Sequence, residues 1–302
     1  MLVVAISSRA LFNLEDGHTI YQKEGSAAFD EYMHKNEKKA LRPGVAFPLV
    51  KKLLALNTPG VKRDKVEVML LSSNTLEAGA RVMNSVRHYG LDIERAFFTS
   101  GGDRFRIAKA GNVTLFLSTN PSEVRKALSS GIASACVMPN SRFDEANAEN
   151  AGGICIAFDG DSVLFDDSAE RVNQSSGLEA FQESERRQAK VPLGDGPFKP
   201  VLQALHDIQQ SFDPRSTDRP LRVALVTARG VPAYDRVLKT FRTWGVHVDE
   251  SFFCGGMPKG PFLEALGADL FFDDGMHNVE SASQFVPACH VPHGVVGAAQ
   301  GA

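Results

Sequence analysis

A chain of 302 residues, 43% of them hydrophobic, is long enough for one large domain or two of ordinary size, and a fold of that length buries roughly three quarters of its unfolded surface. Lysine and arginine number 33 against 36 acids, a net charge of −3, which excludes a general pull toward nucleic acid or an anionic membrane but leaves room for a small anion in a local basic pocket. Four scattered cysteines, Cys136, Cys155, Cys254 and Cys289, with no CxxC pair, predict reduced thiols in a cytoplasmic protein.

The opening run "LVVAI" reads as a buried strand rather than the apolar core of a signal peptide, and no run approaches the ~18 apolar residues of a membrane span. A polar insert follows, then the helical pattern "FPLVKKLLAL", the strand "VEVMLL", the helix "AGARVMNSVRHYG" and the strand "VTLFL". From Ile154 the same order returns as "ICIAF", "PVLQALHDIQ", "RVALV", "PAYDRVLKTFRTWG" and "DLFF". The strands are short apolar or β-branched runs, as parallel strands covered on both faces are. The helices carry apolar residues at three and four spacing and end near glycine.

The second series reads as a copy of the first. At an offset of 155 residues, which carries Ser72 onto Thr227, Val68/Val223, Arg81/Arg236, Val82/Val237, Gly90/Gly245, Phe97/Phe252, Phe98/Phe253 and Gly101/Gly256 are identical. Upstream, at an offset of 152, Gly44/Gly196, Pro48/Pro200 and Leu53/Leu205 pair, and "VAISSRALF" falls on "IAFDGDSVL". Such ordered self-similarity predicts an internal duplication, and the alternation of strand and helix predicts an α/β fold of two tandem doubly wound, Rossmann-like units. The polar stretch "PNSRFDEANAENAGG" separates them, giving one half at 1–140, a linker at 141–153 and a second half at 154–302, with a small cap insert at about 166–195.

The halves differ where chemistry would sit. Strand ends of the second half carry Asp159, Asp161, Thr227, Asp273 and Asp274, with Lys259 in the loop before the last strand; the first half has Ser7, Arg9, Ser72, Ser118, Thr119 and Arg104 at those places. Ligands of open α/β sheets bind at the carboxyl ends of the strands, so the second-half residues converge on one pocket. Packed carboxylates repel one another unless a divalent cation sits among them, and their oxygens suit Mg²⁺. A lysine and a threonine beside them supply what a phosphate needs. The pattern points to metal-assisted phosphoryl transfer.

These residues carry a resemblance. "FDGDSV", "LVTAR", the lysine of "GGMPKG" and "FFDD" resemble the four-part signature of the haloacid dehalogenase superfamily, and "SSRALF", "LRPGVAFPLVKKLLALN", "FDGDSVLFDD", "LVTARGVPAYDRVLKTFR" and "FFDDGMH" are similar to the cytosolic 5′-nucleotidase I family along nearly the whole chain. The resemblance implies a haloacid dehalogenase-like fold and Mg²⁺-dependent hydrolysis of nucleoside 5′-monophosphates such as AMP through an aspartyl-phosphate. By motif, Asp159 would be the nucleophile and Asp161 the proton donor and acceptor. Thr227 and Ala228 would bind phosphate oxygens, Lys259 would neutralise developing charge, and Asp273 or Asp274 would join Asp159 and the Asp161 carbonyl as metal ligands. Val163 stands where many superfamily members have threonine.

The competing readings are specific. A calcium loop starting at Asp159 would need an oxygen ligand and then glycine where this chain has Val163 and Leu164, and it would lie between two helices rather than after a strand. Asp166, Asp167 and Glu170 read as a solvated cap segment, and Phe165, Phe181 and Trp244 as core. Cys289, His290 and His293 lack the fourth ligand of a zinc site and read as structure. Arg171 and Arg229 have the chemistry to touch a substrate phosphate or ribose and equally to serve surface or helix pairing; Ser7 and Arg9 suit a substrate or effector site as well as capping. A non-catalytic nucleotide or metal sensor and a phosphatase for sugar or other small phosphates are the alternatives in function. Neither a nucleotide effector nor a homo-oligomer is decided by the sequence; no nucleic-acid polymer or membrane partner is expected.

Overall fold

The computed structural model describes residues 1–139, 141, 153–213 and 219–295, so nearly all of the expected linker at 141–153 lies outside the described residues. The strands are β1 (Leu2–Ile6), β2 (Val66–Ser72), β3 (Arg95–Phe98), β4 (Leu115–Ser118), β5 (Ala133–Val137), β6 (Ile154–Phe158), β7 (Leu221–Thr227), β8 (Glu250–Phe253), β9 (Leu270–Asp273) and β10 (Ala288–His290). Among the described residues they form one ten-stranded sheet in the order β3-β2-β1-β4-β5-β10-β9-β6-β7-β8. Among the described residues every pairing is parallel except β5 with β10, at the middle of the sheet. Read outward from that antiparallel seam, β5-β4-β1-β2-β3 and β10-β9-β6-β7-β8 have the same order. The architecture is mixed α/β around a mostly parallel sheet.

Three strands per half are legible as apolar runs; the described residues form five in each. The additional strands are the ones with weak patterns. β3 and β8 are four-residue edge strands that are mostly half-buried, β5 is the small-residue run "ASACV", and β10 has three residues. Their pairing comes from neighbours in space rather than from a local apolar signal.

The core is continuous across the halves, because the principal buried cluster includes β1 and β6 together with the helices Phe47–Ala55 and Lys199–Gln210. The first of these helices touches β2 and β6, and the second touches β7 and β1. Lys52, on the first, donates to Asp269 Oδ1 at 2.6 Å, tying the halves by charge as well as packing. Equivalent hydrogen bonds recur in the two halves. Arg81 Nε donates to the Lys39 carbonyl at 3.0 Å and Arg236 Nε to that of Val191 at 3.1 Å; Ser85 Oγ accepts from Leu41 N, and Thr240 Oγ1 from Leu193 N, each at 2.9 Å.

Candidate metal and phosphate site

β9, β6 and β7 are adjacent and parallel, so the residues at their carboxyl ends share one rim. Asp159 follows β6, Thr227 ends β7, and Asp273 ends β9 with Asp274 beyond it. Phe158, Phe198 and Phe272 pack beneath the rim, with ring centroids 5.3 and 4.9 Å apart for the two pairs that include Phe272. That rigid apolar floor fixes where the strand ends point.

After Asp159 the chain folds back in a tight turn at Gly160–Leu164, which buries Val163, Leu164 and Phe165. Ser162 takes a left-handed φ of 61°, an uncommon conformation for a side chain other than glycine or asparagine. His293 Nδ1 lies 3.1 Å from the Ser162 carbonyl, and His290 Nε2 lies 3.0 Å from that of Asp274; each nitrogen must donate, since a carbonyl only accepts. Burial lowers the His290 pKa, which favours the neutral ring with its proton on Nε2. The "CHVPHG" segment thereby fastens two loops of the site.

Lys259 Nζ lies 2.8 Å from Asp159 Oδ1 and 2.6 Å from Asp273 Oδ2, with the lysine almost wholly buried. Burial alone would lower its pKa, but the two carboxylates outweigh that and raise it, so the ammonium is a fixed charge. Asp273 Oδ1 accepts from Gly275 N at 2.8 Å and Asn278 Nδ2 at 3.1 Å. One oxygen each of Asp159, Asp273 and Asp274 falls within 4.8 Å of the others, and all three residues are buried. Burial pushes Asp159 up to about 7 against the pull of Lys259, and burial with the repulsion of Asp159 and Asp273 pushes Asp274 up to about 9. Three buried carboxylates facing one another with a single lysine are short of positive charge. Hard oxygen donors with that deficit fit a divalent cation such as Mg²⁺.

Thr227 is buried, its Oγ1 accepting from Arg229 N at 3.2 Å, while Ala228 beside it is exposed. Asp161 stands apart from the carboxylate cluster. Its two oxygens accept from Arg229 Nε at 2.8 Å and Nη2 at 2.6 Å. Arg229 Nη1 in turn meets Glu185, on the helix Ser168–Arg187 of the expected cap, and Arg236 Nη1 reaches the other Glu185 oxygen at 2.6 Å. The Arg229 guanidinium also lies over the rings of Phe165 and Phe181, 5.9 and 5.4 Å from their centroids.

Other sequence-selected residues lie elsewhere. Arg171 is exposed and forks onto Asp167 at 3.0 Å, Asp166 accepts from the Ser168 hydroxyl at 2.6 Å, and Glu170 bonds within its own helix. Ser7 and Arg9 line a cavity at the strand ends of the first half. Sequence reasoning did not select Asn278, Glu185 or Arg236 for the site. Asn278 had a signal, since it lies one helical turn beyond the "FFDD" pair, and Arg236 was visible as the repeat partner of Arg81. Glu185 had none, being one acid in a highly charged helix.

A family model described as 5′-nucleotidase matches residues 1–298. The chain belongs to the 5′-nucleotidase family. Cytosolic 5′-nucleotidase 1B of Homo sapiens is 37% identical over 292 residues, which is 94% of this chain and 47% of that protein, so the chain spans about half the length of the curated relative. No solved structure matches it. Among the described residues of this 5′-nucleotidase family member, no helix is long and apolar enough to cross a membrane.

Proposed function

We propose that the protein is a Mg²⁺-dependent phosphoric monoester hydrolase that converts nucleoside 5′-monophosphates such as AMP to nucleoside and phosphate in the cytoplasm. The observation that carries this reading is the bridge of Lys259 between Asp159 and Asp273, with Asp274 in the same buried cluster. Lys259 holds Asp159 Oδ1, which leaves Oδ2 to attack phosphorus. The new bond forms as the bond to the ribose oxygen breaks, and Asp161, once it has left the Arg229 fork and taken up a proton, protonates that leaving oxygen. Asp161 then takes a proton from water, whose oxygen displaces Asp159 and frees phosphate. Thr227 Oγ1 and the backbone at Ala228 hold the phosphate oxygens, and Lys259 offsets their growing charge.

Asp159, Asp274 and the Asp161 carbonyl would hold the cation, which supplies charge neutralisation and orientation when bound. Both oxygens of Asp273 are already engaged by Lys259, Gly275 and Asn278, which favours Asp274 as the direct ligand. The repeated strand order and the matched hydrogen bonds of Arg81 and Arg236 support two haloacid dehalogenase-like units born of duplication, with 1–140 the degenerate half, 154–302 the catalytic half and 166–195 the cap. In that division the first half is free to serve as scaffold, oligomer surface or effector site.

The test is phosphate release from AMP with Mg²⁺ by wild type and Asp159→Asn, alongside a thermal melt. Loss of release in a folded variant is expected; undiminished turnover would remove Asp159 as nucleophile. A panel of nucleotides and sugar phosphates fixes the substrate class.

A further inference from the structure

We infer that the first half holds a second ligand site, a metal-independent pocket for a small phosphorylated molecule. It goes beyond the catalytic reading and does not depend on it. A cavity of about 650 Å³ opens at the carboxyl ends of β1, β2 and β4. β1 has β2 on one side and β4 on the other, so the cavity lies at the topological switch point, where open sheets receive ligands.

The strand ends here are Ser7, Ser72 and Ser118, at the places where the second half has Asp159, Thr227 and Asp273. Replacing the two carboxylates by hydroxyls removes the negative charge that calls for a cation. What remains is a surplus of donors. Ser7 Oγ accepts from Ala10 N at 3.3 Å and Ser72 Oγ from Asn74 N at 3.1 Å, so the lone pairs face the backbone and the hydroxyl protons remain to be given. Ser8 lines the cavity, is 2% exposed, and its Oγ has no hydrogen-bond partner; Asn74 Nδ2 is likewise buried and unpaired. Buried polar groups are rarely left unsatisfied, so such donors signal an absent acceptor.

The acceptor-rich guest that fits is a phosphate group. The carboxylates near the cavity are already bound: Glu123 accepts from Arg104 at 3.1 Å and Ser118 at 2.8 Å, and Asp30 accepts from Thr75 at 2.8 Å. The helices Leu76–His88 and Pro121–Ser129 begin at the same rim, adding the positive ends of their dipoles. The volume exceeds what one phosphate fills. Tyr21 and Phe29, edge to face with centroids 6.2 Å apart, form an aromatic wall for the organic part of the ligand.

The experiment is calorimetric titration of the whole protein in EDTA with AMP, inorganic phosphate and adenosine. AMP should bind without metal, phosphate should compete with it, and adenosine should bind at least about tenfold more weakly. Asn74→Leu should weaken AMP binding about tenfold or more, while Lys259→Met, in the other half, should not. Hydrogen exchange on the unmutated protein, which needs no variant to fold, should slow at Ser72–Thr75 and Glu15–Glu24 when AMP is added in EDTA. The inference is overturned by no binding in EDTA, by adenosine binding as tightly as AMP, by phosphate failing to compete, by loss of binding in Lys259→Met with retention in Asn74→Leu, or by protection confined to the second half.

Discussion

Arg229 grips Asp161 through two hydrogen bonds, at 2.8 and 2.6 Å, while the far side of the same guanidinium meets Glu185 on the cap helix. Arg229 and Glu185 are both buried, so the fork is fixed rather than solvated, and a planar guanidinium imposes a direction that a lysine would not. The residue proposed to move protons is therefore oriented by a chain of charge, Asp161 to Arg229 to Glu185 to Arg236, that ends outside the strand-end cluster.

That chain predicts that Glu185 matters for turnover without touching substrate. Glu185→Gln keeps the shape but removes the charge that holds Arg229 and Arg236, and we expect kcat for AMP to fall about tenfold with a smaller change in KM. Glu185→Ala should cost about 3–5 kcal/mol of stability, the usual consequence of stranding buried charges. Steady-state kinetics and denaturant unfolding check the two effects; unchanged kcat in Glu185→Gln would make the chain purely structural.

Lys259 offers the sharpest kinetic test within the cluster. Lys259→Met retains length and fills the same buried space, but leaves Asp159 and Asp273 facing each other without their shared ammonium. We expect turnover to fall by about 10²–10³-fold, the scale of losing one preorganised charge on a developing oxyanion. Phosphate release with Mg²⁺ measures it, and a loss below about threefold would count against the role.

The repeat makes a paired stability prediction. A Cβ on Gly196 would stand 2.4 Å from the Val163 carbonyl oxygen, and one on Gly44 would stand 2.8 Å from that of Ala10. Both obstacles are backbone and cannot swing aside, so Gly196→Ala and Gly44→Ala should each destabilise by about 1–3 kcal/mol, with Gly196→Ala the worse. Urea unfolding of both variants tests the order, and a neutral Gly196→Ala would show that the turn after β6 can shift.

Much of this was legible in the sequence because the informative residues obey local rules. Doubly covered central strands are uninterrupted apolar runs, and "LVVAI" and "ICIAF" coincide with β1 and β6. The acids and the threonine were selected by their places at strand ends and the lysine by its loop before the last strand, and the fold brings Asp159, Lys259, Asp273 and Asp274 together. The edge strands β3 and β8, the seam of β5 with β10, and the Glu185 network were not legible, because each is defined by a partner far away in sequence. A half-buried "RAFF" or a lone glutamate in a charged helix carries no periodic signal of what it will meet.

Metal removal should change the pH dependence of stability. With burial and mutual repulsion raising Asp159 to about 7 and Asp274 to about 9, the folded protein without cation keeps protons that the unfolded chain, near the ordinary carboxylate pKa of about 3.9, has already released. More protons bound in the folded state means that stability falls as pH rises from about 4 through these raised values, and levels off above them. A divalent cation takes the place of those protons, so its stabilisation must grow over the same window. In EDTA the melting temperature should therefore drop between about pH 5 and pH 8, and the increase on adding Mg²⁺ should be larger at pH 8 than at pH 5. Asp274→Asn, which cannot ionise, should flatten part of the EDTA slope and weaken the Mg²⁺ response. Differential scanning calorimetry decides it: an Mg²⁺ shift equal at both pH values would mean that these carboxylates do not hold the cation.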